Sequence, residues 1–376
     1  MTEYYSEYRT PRKRRRSLPM RLVDIVATLL SVVAGLAMVG AFLVPYIDPS
    51  RSRLLPLLGL VTPAIYTSVV ALALYWIIRW RWIRASAMLV LVLVGFFRIS
   101  LFYRPEFRRV YDRRIPERGL FKVMTYNVRC FYDDDGGSSA DEVARLIAEE
   151  KPDIVCLQEF SPRLAERSEA FAALDKSYQS ALFGHQQALD LGYQMAILSR
   201  HRILRSGVAL KPAASVWIDA AVNGDTVRIY SNHLRTTSIN AADDAFLSSR
   251  RIITDSTRDA RIRSIATRFR SNSVVRAAQA DTIAREAAAW RGPKIVCGDF
   301  NDTPVSYVYH RMSRGLNDAF RERGSGYSHT FRGFFNSLRI DFVLSSDHFE
   351  TVTYEVPEVP YSDHLPVVVR LKLQNH

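Results

Sequence analysis

Six short stretches of this chain join an apolar run to side chains that can hold a metal, a proton or a phosphate. Asn127 closes FKVMTYN, Gln158 and Glu159 close DIVCLQE, and Asn232 and His233 close VRIYSNH. Asp299 and Asn301 lie in IVCGDFN, Asp341 sits in RIDFVL, and Asp363 and His364 precede an apolar run in YSDHLPV. One such residue says little, because strands often end in polar groups for solvation and burying an unpaired ion is costly. Six that converge would make an acidic, imidazole-bearing pocket suited to a hard, oxygen-ligated cation and a phosphate. No Ser or Cys stands in a nucleophile elbow, so the chemistry indicated is attack by activated water. Plainer readings stand beside three of these residues: His233 as a strand cap, Asn127 as the end of a turn, and Asp363 in an Asx-turn.

The elements that must position these groups begin at Leu120. Runs of period two or short buried runs alternate with helical stretches from there on. The expected strands are FKVMTYNV, DIVCLQE, MAILS, SVWIDAAV, TVRIYSNH, KIVCGDF, RIDFVLS and LPVVVRLKL, with helices near residues 141–150 and 274–290. Many strands with interspersed helices predict an α/β fold of two packed sheets with helices outside. Cys130, Cys156 and Cys297 make no disulfide framework, and Cys156 and Cys297 read as small buried hydrophobes.

The motifs TYNVR, LQE, SNHL, GDFN, RIDFVL and SDHLPV, in this order, resemble the endonuclease/exonuclease/phosphatase superfamily over residues 120–373. That resemblance implies a four-layered α/β sandwich with the site where the two sheets meet. It implies Glu159 as the principal Mg²⁺ (or Mn²⁺) ligand, with Asn127 on the metal or its waters and Asp363 able to touch a metal. His364, oriented by Asp341, would contact the phosphate or help activate water. Asp299 would align or deprotonate the water, Asn301 would hold the phosphate, and His233 would donate to a phosphoryl or leaving oxygen. Arg235, two residues after His233, is a candidate substrate-binding residue. The acidic or Tyr residue that some relatives carry between LQE and SNH has no secure counterpart here, Tyr193 and Gln194 being nearest.

The first third of the chain has a different character. Residues 1–119 hold nineteen Lys/Arg against seven Asp/Glu, a net of +12, whereas residues 120–376 hold 32 against 31. The overall excess of +13 therefore belongs to sequence flanking apolar runs, which argues for membrane topogenesis over nucleic-acid binding. Three transmembrane helices are expected, at about residues 22–44, 54–78 and 85–103, with Trp76, Trp80 and Trp82 as an aromatic belt. Residues 1–21 form a basic cytoplasmic N-terminus, 104–119 a linker, and 120–376 the catalytic domain. Arg12, Lys13, Arg14, Arg15 and Arg16 favour a cytoplasmic start, so three crossings put the catalytic domain outside the cytoplasm in a multi-pass cell-membrane protein.

The expected function is a membrane-anchored, metal-dependent phosphoester hydrolase acting on a lipid or other membrane-proximal phosphoester. The alternatives are a metal-dependent nuclease and a non-catalytic binding protein of the same fold. Between residues 250 and 276 lie eight arginines, readable as an anion-facing lid or as a solvated helix face. Tyr307, Tyr309, Phe331, Phe334 and Phe335 read equally as a substrate wall or as core.

Overall fold

A computed structural model describes residues 18–105, 120–133, 136–174, 176–184, 194–237, 243, 246 and 256–374. The basic residues 12–16, most of the expected linker (106–119) and Tyr193 lie outside the described residues. The chain divides into two compact units, Met1–Val39 with Pro63–Val94, and Gly40–Thr62 with Gly95–His376.

The first unit contains most of α1 (Leu18–Leu43), α3 (Thr62–Ile78) and α4 (Trp82–Ile99). Among the described residues two helices are long and apolar enough to cross a membrane, Leu18–Tyr46 and Trp82–Ile99, rather than the three expected. The expected span 54–78 is divided into α2 (Leu55–Leu60) and α3, which keeps only 17 residues. Pro63 causes the break, since it lacks the N–H that would bond the Gly59 carbonyl and disfavours helical backbone at Thr62. Inside this unit Asp24 accepts hydrogen bonds from the Tyr75 hydroxyl at 2.8 Å and from Arg79 Nε and Nη2, both at 3.0 Å. Trp76 is buried and donates to Ser31 Oγ at 2.8 Å, so Trp80 and Trp82 alone of the expected belt are exposed.

The second unit holds two six-stranded sheets. One runs β13 (Phe349–Glu355), β14 (Val367–Leu373), β2 (Leu120–Asn127), β3 (Ile154–Phe160), β5 (Gln194–Ser199), β4 (Gln179–Gly184). The other runs β10 (Asn317–Asp318), β12 (Asp341–Ser345), β9 (Lys294–Asp299), β8 (Asp225–His233), β7 (Ser215–Val222), β6 (Ile203–Leu210). Alternation along each strand builds three cores. Val123, Ile154, Cys156, Ile229, Ile295 and Cys297 face the opposite sheet in the central core. Their neighbours Met124, Tyr126 and Val155 turn outward onto α5 (Ala140–Glu150), α6 (Pro162–Ala165) and α7 (Glu169–Leu174), and Tyr230 and Val296 turn onto α8 (Ser256–Ala289) and α9 (Tyr307–Met312). The result is an α/β/β/α sandwich, as expected.

Each sheet contains one parallel pair, β2 with β3 and β8 with β9, bridged by α5 and by α8 respectively. A parallel pair needs such a crossover and brings both carboxyl ends to the same edge. Those ends are Asn127 beside Gln158 in one sheet and His233 beside Asp299 in the other. The antiparallel partners β12 and β14 start at that edge, so Asp341 pairs with Asp299, and His364 stands three residues before Val367. Tyr103, expected to end the third transmembrane helix, and Arg104, expected to begin the linker, instead form β1 against β11 (Gly326–Tyr327). Nearby, Arg339 is buried, pairs with Asp318 at 3.0 Å and donates to the Leu101 carbonyl at 3.0 Å.

Candidate active site

Glu159 closes β3 where its pairing with β5 slips, and its φ of 50° turns the side chain away from the regular pleat. Such a bulge re-aims one side chain at the end of a strand. Before it, buried Gln158 donates to Thr125 Oγ1 and to Ser231 Oγ, each at 3.1 Å, linking the two sheets beneath the site. Gly298 has φ 121°, and a Cβ there would lie 2.1 Å from the Asn232 carbonyl oxygen. The glycine of GDFN therefore allows β8 and β9 to carry His233 and Asp299 side by side.

The side chains from the two sheets meet at these ends. Asn127 Nδ2 donates to Glu159 Oε1 at 3.3 Å and to Asp299 Oδ2 at 3.2 Å. His233 Nε2 lies 3.4 Å from Glu159 Oε1 and 3.8 Å from Asp299 Oδ2. Asn301, at φ 53°, donates its backbone N–H to Asp299 Oδ1 at 2.7 Å and its side-chain amide to Asp299 Oδ2 at 2.8 Å. His364 Nδ1 is 3.0 Å from Asp341 Oδ2, its Nε2 is 3.8 Å from Asp299 Oδ2, and the Phe331 ring lies 5.0 Å from it. Every expected catalytic residue thus reaches one cluster. Asp363 sits at its rim, 38% exposed and 3.9 Å from Arg129 Nε, and lines the same pocket as Asn127 and Glu159.

Burial governs the charges here. It pushes the Asp299 carboxyl up to about 6, opposed by the charge on His364 and reinforced by Asp341. Burial works against a charge on His364 too, but Asp341 and Asp299 outweigh it and push the imidazole up to about 10. The two carboxylates thus favour the protonated ring, which one of them holds and the other faces.

Asp299, Asp341 and His364 have ligand atoms within 4.8 Å of one another. In that trio the imidazole is held between the two carboxylates and all three groups are buried. A magnesium-like ion prefers oxygen ligands and retained waters. Glu159, at 26% exposure, with Asn127, Asp363 and the near oxygen of Asp299, offers that donor chemistry beside the open pocket.

Arg235 is not brought into the cluster: it is exposed, and its Nε donates to Asn272 Oδ1 at 3.3 Å. Of the arginine-rich stretch, Arg250 and Arg251 lie outside the described residues and the remainder is on α8. Arg276 is buried against Asp302 at 3.3 Å, while Arg261 and Arg268 pair with Asp243. Of the aromatic candidates, Phe331 lines the pocket, whereas the Tyr309 hydroxyl donates to Asp318 and that of Tyr307 to Asp281. Sequence reasoning missed Thr330, whose buried Oγ1 accepts the Asp341 N–H at 3.1 Å, and Ser362, whose hydroxyl donates to the Asn127 carbonyl at 2.8 Å. Ser362 was legible beside Asp363 and His364; nothing nearby in sequence marks Thr330.

Residues 124–364 match the sequence model described as the Endonuclease/Exonuclease/phosphatase family, a stretch that contains the whole cluster. The chain belongs to that family. Its members are generally divalent-metal-dependent hydrolases of phosphoester bonds. Residues 23–102 match a second model, a domain of unknown function (DUF8431). Solved structures similar to this chain include an endonuclease/exonuclease/phosphatase from Beutenbergia cavernae, 21% identical over 69% of this chain and 72% of that one, with a TM-score of 0.48. Another, from Bacteroides vulgatus, is 19% identical over 68% and 99% of the two chains, TM-score 0.49. Truncated Caenorhabditis elegans TDP2 is 16% identical over 67% and 97%, TM-score 0.45. No curated protein matches the chain.

Proposed function

We propose that this protein is a membrane-anchored phosphoester hydrolase that uses Mg²⁺ or Mn²⁺ and directly activated water. The observation that carries the reading is the meeting of Asn127 and Glu159 from one sheet with His233 and Asp299 from the other, beside the His364–Asp341 pair. Glu159 and Asn127, with Asp363 at the rim, would hold the cation, which when bound supplies Lewis-acid stabilisation of phosphoryl charge. Asp299, clamped by Asn301 and Asn127, is fixed to orient an attacking water and take its proton. The His364 imidazolium, locked by Asp341, donates to a non-bridging phosphate oxygen as charge grows there. His233 faces the same space and can donate to the leaving oxygen.

The membrane reading is supported by a parity argument within the second unit. The segment between α1 and α3 touches the family domain: the Tyr46 ring packs edge-on at 4.9 Å from His310, and Thr303 Oγ1 donates to the Gly59 carbonyl at 3.4 Å. That segment and the domain must therefore share one side of the bilayer. The chain between them passes through α3 and α4, so both cross or neither does. Read as crossing on its length and hydropathy, α4 implies on this proposal that the 17-residue α3 crosses too. It would reach about 25 Å against a hydrocarbon layer of about 30 Å, a mismatch that local thinning accommodates. With a cytoplasmic basic N-terminus, the domain lies outside the cytoplasm.

The test uses the full-length protein in detergent micelles, stripped with EDTA, with a chromogenic 4-nitrophenyl phosphodiester. Hydrolysis restored by Mg²⁺ or Mn²⁺ supports the reading. Turnover that is indifferent to EDTA and added metal would sink its metal part.

A further inference from the structure

The pocket in front of the cluster is not built by the family domain alone. Leu60, 64 residues before the family match begins at residue 124, lines the same cavity as Asn127, Glu159, Asp299, Asn301 and His364. Its position has a local cause. Pro63 cannot donate to the Gly59 carbonyl, and that oxygen accepts the Thr303 hydroxyl instead, at 3.4 Å. Thr303 directly follows the Asp299–Asp302 loop of the site and itself lines the pocket. Packing holds the segment in place, since Val44, Pro45, Pro49, Pro56 and Gly59 are buried. A Cβ on Gly59 would stand 3.2 Å from Val44 Cγ1.

The pocket lining consequently combines the carboxylates, amides and imidazole of the cluster with the apolar residues Leu60, Phe269, Phe331, Leu338 and Ile340. Leu60 also stands two residues before α3 begins at Thr62. If α1 and α3 span the bilayer, their ends at Leu43 and Thr62 mark its surface, and Leu60 lies within about one helical turn, ~5 Å, of that surface.

We propose that Leu60 is a specificity-determining residue, and that the substrate is an amphiphilic phosphoester drawn from the bilayer with its alkyl or acyl chain against Leu60. This rests on the hydrolase and membrane readings above. A nucleic acid offers no aliphatic chain for those apolar residues, and a small sugar phosphate leaves them facing water.

The test compares methyl 4-nitrophenyl phosphate with dodecyl 4-nitrophenyl phosphate, which share a leaving group and differ in the alkyl chain, using the full-length protein in micelles with Mg²⁺. The wild type should show a kcat/KM for the dodecyl ester at least about tenfold above that for the methyl ester, carried mainly by KM. Leu60→Asn should lower that ratio by about tenfold, and Leu60→Met should keep it. An unchanged ratio in Leu60→Asn, with the wild type active, overturns the role of Leu60 while leaving the hydrolase reading intact. Preference for single-stranded DNA over the dodecyl ester also overturns it. Failure of the wild type to cleave any of these substrates overturns both readings.

Discussion

Replacing Asp341 by Asn tests the electrostatic design of the site. Asp341 Oδ2 lies 3.0 Å from His364 Nδ1, and both groups are buried. The His364 pKa is raised from the ordinary 6.5 to about 10 by Asp341 and Asp299 acting against burial. An opposite charge at this range is worth about 1–3 pKa units, so Asp341→Asn should bring His364 down by about 2 units, to about 8. At about 1.4 kcal/mol per unit, the lost interaction is about 3 kcal/mol. The sign follows from linkage. A folded-state pKa above the unfolded value gives stability that is complete below pH 6.5 and is lost as pH rises through about 10. The variant should therefore be less stable by about 3 kcal/mol up to about pH 8, with the gap closing by about pH 10. Imidazole titration by NMR in metal-free protein, with denaturant unfolding at the same pH values, reads both quantities. A wild-type His364 that titrates near 6.5, or a variant whose His364 titrates where the wild type does, would refute the reasoning.

Three further outcomes are expected. Gly298→Ala forces a Cβ to 2.1 Å from the Asn232 carbonyl oxygen at φ 121°, so it should cost about 3 kcal/mol or more; a melting temperature equal to the wild type's would contradict this. Glu159→Gln removes a carboxylate charge from the proposed cation site and should raise the Mg²⁺ concentration for half-maximal activity about 10–100-fold. An unchanged Mg²⁺ requirement would move the cation elsewhere. A tag placed after His376 should be digested by protease added to intact spheroplasts, and its protection would reject the extracytoplasmic placement.

The interior of the fold was legible in sequence because buried strands are read from their apolar runs, and all eight expected strands are present. Four of the missed strands, β4, β6, β10 and β13, are the outer strands of the two sheets. An outer strand has one neighbour and carries polar residues, as in QSALFG and FETVTYE, so its alternation is weak. Helix α8 begins 18 residues before its expected start at 274, because arginines mask a stripe that includes buried Ile265 and Phe269. The candidate site was legible since its members lie at strand ends that the sheet order brings together. Leu60 was not, because its place depends on what Pro63 leaves unbonded and on Thr303, more than 240 residues further along the chain. The buried Arg339–Asp318 pair escaped notice for the same reason, neither residue carrying a local signal of the other.

The most direct measurement compares phosphodiester hydrolysis by the full-length wild type with that of Asp299→Ala and His364→Ala, each at saturating Mg²⁺. Loss of about 10²–10⁴-fold in kcat for either variant, with unfolding transitions retained, is the predicted result. Variants that hydrolyse the ester as fast as the wild type would contradict the assignment of this cluster as the catalytic centre.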